Sequence, residues 1–117
     1  MHLAWSHSEL ESCCVCGTRL RALTGDQAEA AEDLLNLVAR ASRLAAITTF
    51  RSVRVGVAAG KLTFSIEEID MHTRPLNSDG IPQQIQDLKS LPDYATCRAL
   101  VIDDLRVRGE SVSRLAS

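Results

Sequence analysis

The sequence predicts an α+β fold: a two-layer sandwich in which two helices cover one face of an antiparallel sheet, in the ferredoxin-like order β-α-β-β-α-β. Two observations carry this expectation. A long stretch after Thr24 has helical periodicity, and residues 48–66 alternate apolar and polar with a turn at Ala59-Gly60-Lys61. A chain of 117 residues suits one domain, and its 45% apolar content is enough for a core without metal or disulfide support. The expected domain spans 1–117, with residues 1–11 and 110–117 as tails.

Ser12 to Ala22 reads as a first strand, because Thr18, Leu20 and Ala22 alternate with Arg19 and Arg21. Thr24-Gly25-Asp26 then starts a helix, and Asp26 with Glu29 has capping-box spacing. From there to about Ala46, the residues Ala31, Leu34, Leu35, Val38, Ala41 and Ala45 form one stripe. Acidic Glu29, Glu32 and Asp33 near its start and basic Arg40 and Arg43 near its end suit the helix dipole. Val53, Val55 and Val57 share one face of the next strand, and Leu62, Phe64 and Ile66 share one face of its hairpin partner. Asn77-Ser78-Asp79-Gly80 marks a loop. Pro82, Ile85, Leu88 and Leu91 read as a second helix that Pro92 ends. Tyr94, Cys97, Val101 and Leu105 would align on a helix, but Leu100-Val101-Ile102 and the alternation Leu105-Arg106-Val107-Arg108 favour a last strand within 98–108.

Composition excludes several classes of function. A net charge of −2 gives no overall attraction to nucleic acid or anionic lipid, and Trp5, Phe50, Phe64 and Tyr94 are the only aromatic residues on which a base could stack. Nucleic acid is therefore not an expected partner. No run approaches the length of a membrane span, and the start lacks an apolar signal core. The four cysteines then read as free thiols of a cytoplasmic protein. The arginine bias, 11 against 2 lysines, is compatible with a small bacterial accessory protein. No nucleophile elbow, phosphate-binding loop, dinucleotide fingerprint or H-E-x-x-H occurs, so the enzyme question stays open and leans to no. No family resemblance emerges, and no cofactor is implied.

Three constellations are candidates for function. Cys13 and Cys16 have the C-x-x-C-G spacing of half a zinc knuckle, which His7, His72, Cys97 or a second chain would have to complete. The plainer reading makes these cysteines small apolar residues of a strand. Glu68, Asp70 and His72 alternate along a strand and would line a pocket for acid–base chemistry or a small ligand if they kept the inward phase of Phe64. Buried carboxylates are costly, so a bulge at Glu67-Glu68 that turns Ile69 and Met71 inward is favoured. Finally, Arg19, Arg21, Arg54 and Arg106, with Arg108 beside them, would line the outer face of the sheet. The leading expectation is a non-enzymatic binding or assembly domain that self-associates, or binds a protein partner, through this arginine-lined face. A small enzyme or ligand-binding protein using Glu68, Asp70 and His72, and a zinc-stabilised adaptor using Cys13 and Cys16, are the alternatives. Asp103-Asp104 reads as a solvated bend, since neighbours on a strand point apart.

Overall fold

The computed structural model describes residues 1–116. It is α+β, with helices and a six-stranded mixed sheet. In chain order the elements are β1 (His2–Trp5), α1 (Ser8–Val15), α2 (Gly17–Thr24), α3 (Ala28–Arg40), α4 (Leu44–Ile47), β2 (Arg54–Ala58), β3 (Lys61–Ile66), β4 (Ile69–Pro75), α5 (Leu91–Tyr94), β5 (Ala99–Val107), β6 (Glu110–Ser111) and α6 (Val112–Leu115).

The strand order is β1-β5-β4-β3-β2, and β6 pairs the far half of β5. β1 runs parallel to β5, while the other pairs are antiparallel. This is neither the ferredoxin-like order nor a purely antiparallel sheet. The difference has two physical sources.

First, Ser12–Ala22 is helical. Leu10, Cys13 and Cys14 in α1, and Leu20 and Thr24 in α2, recur at helical spacing and are buried, whereas Thr18 and Ala22 are exposed. Three alternating residues are too few to outweigh that period. The first strand instead comes from residues 2–5, within the expected N-terminal tail, and β6 and α6 occupy the expected C-terminal tail. Ser117 of that tail lies outside the described residues.

Second, the helix expected from Pro82 does not form. The Gln83 N–H donates to the Pro75 carbonyl and the Ile85 N–H to the Gly60 carbonyl, so this segment is tied to the sheet with Ile85 fully buried. Pro92 sits in the first turn of α5 and starts a helix where it was expected to end one.

The long helix is α3, shorter than expected. The chain leaves helical geometry at Ala41 (ψ 137°) and resumes it at α4. The Met1 amino group donates to the carbonyls of Ala39 and Ala41, two acceptors that the end of the helix leaves unpaired. Ala31, Leu34, Val38, Ala41, Leu44 and Ile47 face the sheet in one core cluster with Leu62, Phe64, Met71, Leu100, Ile102 and Leu105. Asp26 makes no capping bond; Arg108 clasps its carboxylate and holds it below the usual carboxylate range.

The β2–β3 hairpin forms as expected. Ala59 (φ 54°) and Gly60 (φ 78°) both adopt left-handed geometry, as a two-residue type I′ turn requires. A second two-residue turn, Glu67-Glu68, joins Ile66 to its partner Ile69. This turn, and not a bulge, resets the phase, so Ile69 and Met71 are fully buried. A bulge does occur in β5. His72 faces Asp104 while Thr73 faces Ile102, leaving Asp103 as the extra residue.

Candidate functional site

Strand register decides what the two faces of the sheet present. Leu62, Phe64, Ile69, Met71 and Leu105 point to the helices. The outer face carries Arg54 and Gly56 from β2, Lys61, Thr63 and Ser65 from β3, Asp70, His72 and Arg74 from β4, and Asp104 and Arg106 from β5. Nearly every polar group in the middle of this face has a cross-strand partner. Ser65 donates to Asp70 at 2.5 Å, and the Thr63 hydroxyl lies 3.1 Å from His72 Nδ1. Arg74 grips Asp103 through Nε (2.6 Å) and Nη2 (2.8 Å). Asp104 accepts from Arg106 Nε (2.8 Å) and from the Ser111 hydroxyl (2.6 Å).

A pocket of about 380 Å³ opens over this face, lined by His7, Ala58, Ala59, Lys61, His72, Asp103, Asp104, Arg106 and Ser111. His72 comes from the central strand. Partial burial lowers its pKa, Arg106 and Lys61 lower it further, and Asp104 and Asp70 oppose them. The imidazole is therefore neutral at physiological pH. Its Nδ1 is engaged by Thr63, and its Nε2 has no hydrogen-bond partner among the described residues.

Of the acidic–imidazole trio, His72 alone lines the pocket. Asp70 stands beside it, bonded to Ser65. Glu68 lies away in the β3–β4 turn, where Arg108 Nε holds its carboxylate at 2.6 Å. The four arginines expected on one face also part. Arg54 and Arg106 are on the outer face, with Arg54 donating to the Glu67 carbonyl. Arg19 and Arg21 belong to α2, where Arg19 donates to the Ser12 hydroxyl at 3.1 Å and Arg21 pairs with Glu32 at 2.7 Å. A helix carries them away from the sheet, so the arginine-lined face reduces to Arg54, Arg74 and Arg106 among carboxylates.

The cysteine spacing builds no knuckle. Cys13 and Cys14 are buried on α1, and Cys16 is exposed at its end. Burial pushes the Cys14 thiol up to about 12, which makes it inert as a nucleophile or metal ligand at neutral pH. Among the described residues, no group of three or more His, Cys, Asp or Glu is placed to hold a metal ion. No helix among them is long and apolar enough to cross a membrane.

Sequence reasoning missed Lys61, Arg74, Asp103, Asp104 and Ser111. Asp103-Asp104 looked like a bend because neighbours on a regular strand point apart. The bulge brings both to the pocket, and its only sequence signal is two adjacent aspartates inside an otherwise apolar strand.

The second feature of interest is the free edge of β2. Ala58 and Lys61 close a two-residue turn, so they form a hydrogen-bonded pair. Alternation along an antiparallel ladder then makes Gly56–Thr63 hydrogen-bonded and leaves the N–H and C=O groups of Val55 and Val57 pointing outward. No backbone group elsewhere among the described residues pairs with them. Gly56, between them, has no left-handed φ, and a Cβ added there would meet nothing within 4 Å.

Comparisons with protein-family models, with curated proteins and with solved structures find no match for this chain.

Proposed function

We propose that this chain is a non-enzymatic assembly domain that self-associates through its sheet, with β2 of one copy pairing antiparallel to β2 of a second. The carrying observation is the register of β2. Its outward hydrogen-bonding groups belong to Val55 and Val57, placed symmetrically about Gly56. A two-fold antiparallel pair centred on Gly56 sets Val55 against Val57 of the other copy, and all their outward groups then exchange hydrogen bonds.

Three further features support this reading. The two Gly56 residues face each other at a non-hydrogen-bonded position, where Cα atoms approach to about 4.5 Å. Glycine weakens a strand by about 0.5–1 kcal/mol, and among the described residues neither a left-handed φ nor a close neighbour calls for it here. Val55 and Val57 are apolar and only partly covered, so a second copy completes their burial. The one charge on β2, Arg54, would lie about 14 Å along the strand from its symmetry mate, beyond the Debye length at physiological salt. Natural edge strands usually carry lysine, proline or a bulge against such pairing, and β2 has none of these. The opposite edge is less suited, being divided between four-residue β1 and two-residue β6. The free cysteines suit a reducing, cytoplasmic setting.

Size exclusion with light scattering tests the proposal. The wild type is expected to be a dimer. Gly56→Lys, which has open space within its own chain, sets two ammonium groups opposite each other across the two-fold and is expected to be monomeric. Gly56→Ala is expected to stay dimeric. A monomeric wild type at high concentration, or a dimeric Gly56→Lys, refutes the proposal.

A further inference from the structure

The outer-face pocket carries an inference that does not depend on how β2 is paired. We infer that the pocket over His72 binds a small oxyanion, through carboxylate or phosphate oxygens, between Lys61 and Arg106.

The argument rests on which hydrogen-bonding groups in the pocket are already used. Asp103 is the most buried lining carboxylate, with 5% of its side chain exposed, and Arg74 engages both of its oxygens. Both oxygens of Asp104 are engaged as well, one by Arg106 Nε and one by Ser111. Every carboxylate oxygen lining the pocket is thus engaged by the fold.

The donors are not. The Lys61 ammonium stands 3.7 Å from Asp103, a charge contact beyond hydrogen-bond range, and makes no hydrogen bond among the described residues. Arg106 uses only Nε; its two terminal amino groups have no partner among the described residues. Both side chains are accessible, at 38% and 46% exposed.

The placement of these donors is also productive. Lys61 comes from β3 and Arg106 from β5, on either side of the strand that carries His72. Both line the one pocket, and their head groups lie against adjacent residues of β5, Lys61 by Asp103 and Arg106 by Asp104. Lys61, Arg74 and Arg106 are balanced in number by Asp70, Asp103 and Asp104, so the preference rests on which hydrogen-bonding groups are free and not on net charge. Asp70 lies outside the lining and is bonded to Ser65. Free cationic donors beside carboxylates that are already engaged suit an oxyanion, with lysine as a point charge and arginine as a fork. A volume of about 380 Å³ fits a small ligand.

The experiment is a nuclear magnetic resonance titration of the full chain with sodium phosphate and, separately, sodium acetate, at constant ionic strength set by sodium chloride. Saturable shifts are expected at Lys61, His72 and Arg106, and the imidazole pKa of His72 should rise when the anion is bound, because a nearby negative charge favours imidazolium. Lys61→Met keeps the aliphatic stem, and Arg74 keeps Asp103 satisfied, so this variant should fold with unchanged shifts elsewhere. It should bind about tenfold more weakly, and Arg106→Gln similarly. Saturation by either anion supports the inference, and the one that saturates at lower concentration assigns the group as phosphoryl or carboxyl. Non-saturating shifts with both anions, shifts reproduced by chloride alone, or unweakened binding in both variants overturn it.

Discussion

The two faces of strands β3, β4 and β5 share one backbone and obey different rules. On the inner face Phe64, Ile69, Met71 and Leu105 are interchangeable in kind: each is apolar, fully buried and held by many small contacts. On the outer face Thr63, Ser65, Asp70, His72, Asp103 and Asp104 each have a specific polar partner from a neighbouring strand. The inner face therefore stabilises the fold whatever its partners are, while the outer face means something only once register is set. Function, on this account, belongs to what register leaves unspent: the Lys61 and Arg106 donors, and the outward groups of Val55 and Val57.

Substitutions can sharpen that contrast. The largest effect is expected inside: Phe64→Ala should cost about 3–5 kcal/mol, read from urea denaturation, with oxyanion binding retained under native conditions. An outer-face loss should approach it at one position only. Asp103→Ala leaves Arg74 without its bidentate acceptor and should cost about 2 kcal/mol; a cost near zero would show that the pair is only decoration on a solvated surface.

A smaller effect comes from His72. Its folded-state pKa lies below the ordinary 6.5, so between the two values the unfolded chain holds a proton that the folded chain refuses. The stability this gives is complete above about pH 6.5 and is lost as pH falls through the folded value. Denaturation midpoints of the wild type should therefore drop over that window more than those of His72→Gln. Equal slopes would contradict the partly buried, neutral imidazole.

The smallest effect is chemical. A thiol reagent under native conditions should label Cys16 and spare Cys13 and Cys14 until the chain unfolds. Fast labelling of Cys14 would contradict its burial.

The inner face was legible in the sequence because hydrophobic period alone encodes it. The stripe Ala31-Leu34-Val38 and the alternation Leu62-Phe64 led to α3 and the β2–β3 hairpin, and Ile69 was expected inward. Where the period was short the reading failed. Thr18, Leu20 and Ala22 imitate a strand, yet Leu10, Cys13, Cys14 and Leu20 follow a helix. Ile85, Leu88 and Leu91 imitate a helix, yet backbone bonds to Pro75 and Gly60 hold that segment against the sheet.

The outer face was illegible for a different reason. His72 was singled out, but Lys61 and Arg106 join it only through a pairing register and a bulge at Asp103, and neither has a local signature. Gly56 was silent for the same reason. Its meaning lies in which neighbours turn their N–H groups outward, and only the closing pair Ala58–Lys61 fixes that.

Amide hydrogen exchange at Val55 and Val57 tests the central claim most directly. Among the described residues of one chain these two N–H groups have no backbone partner, while the Gly56 N–H is bonded to Thr63. Pairing of β2 with a second copy predicts that Val55 and Val57 exchange slowly, that their protection rises with protein concentration, and that Gly56→Lys abolishes it. Rapid exchange at both positions at every concentration, beside a protected Gly56, would contradict the account.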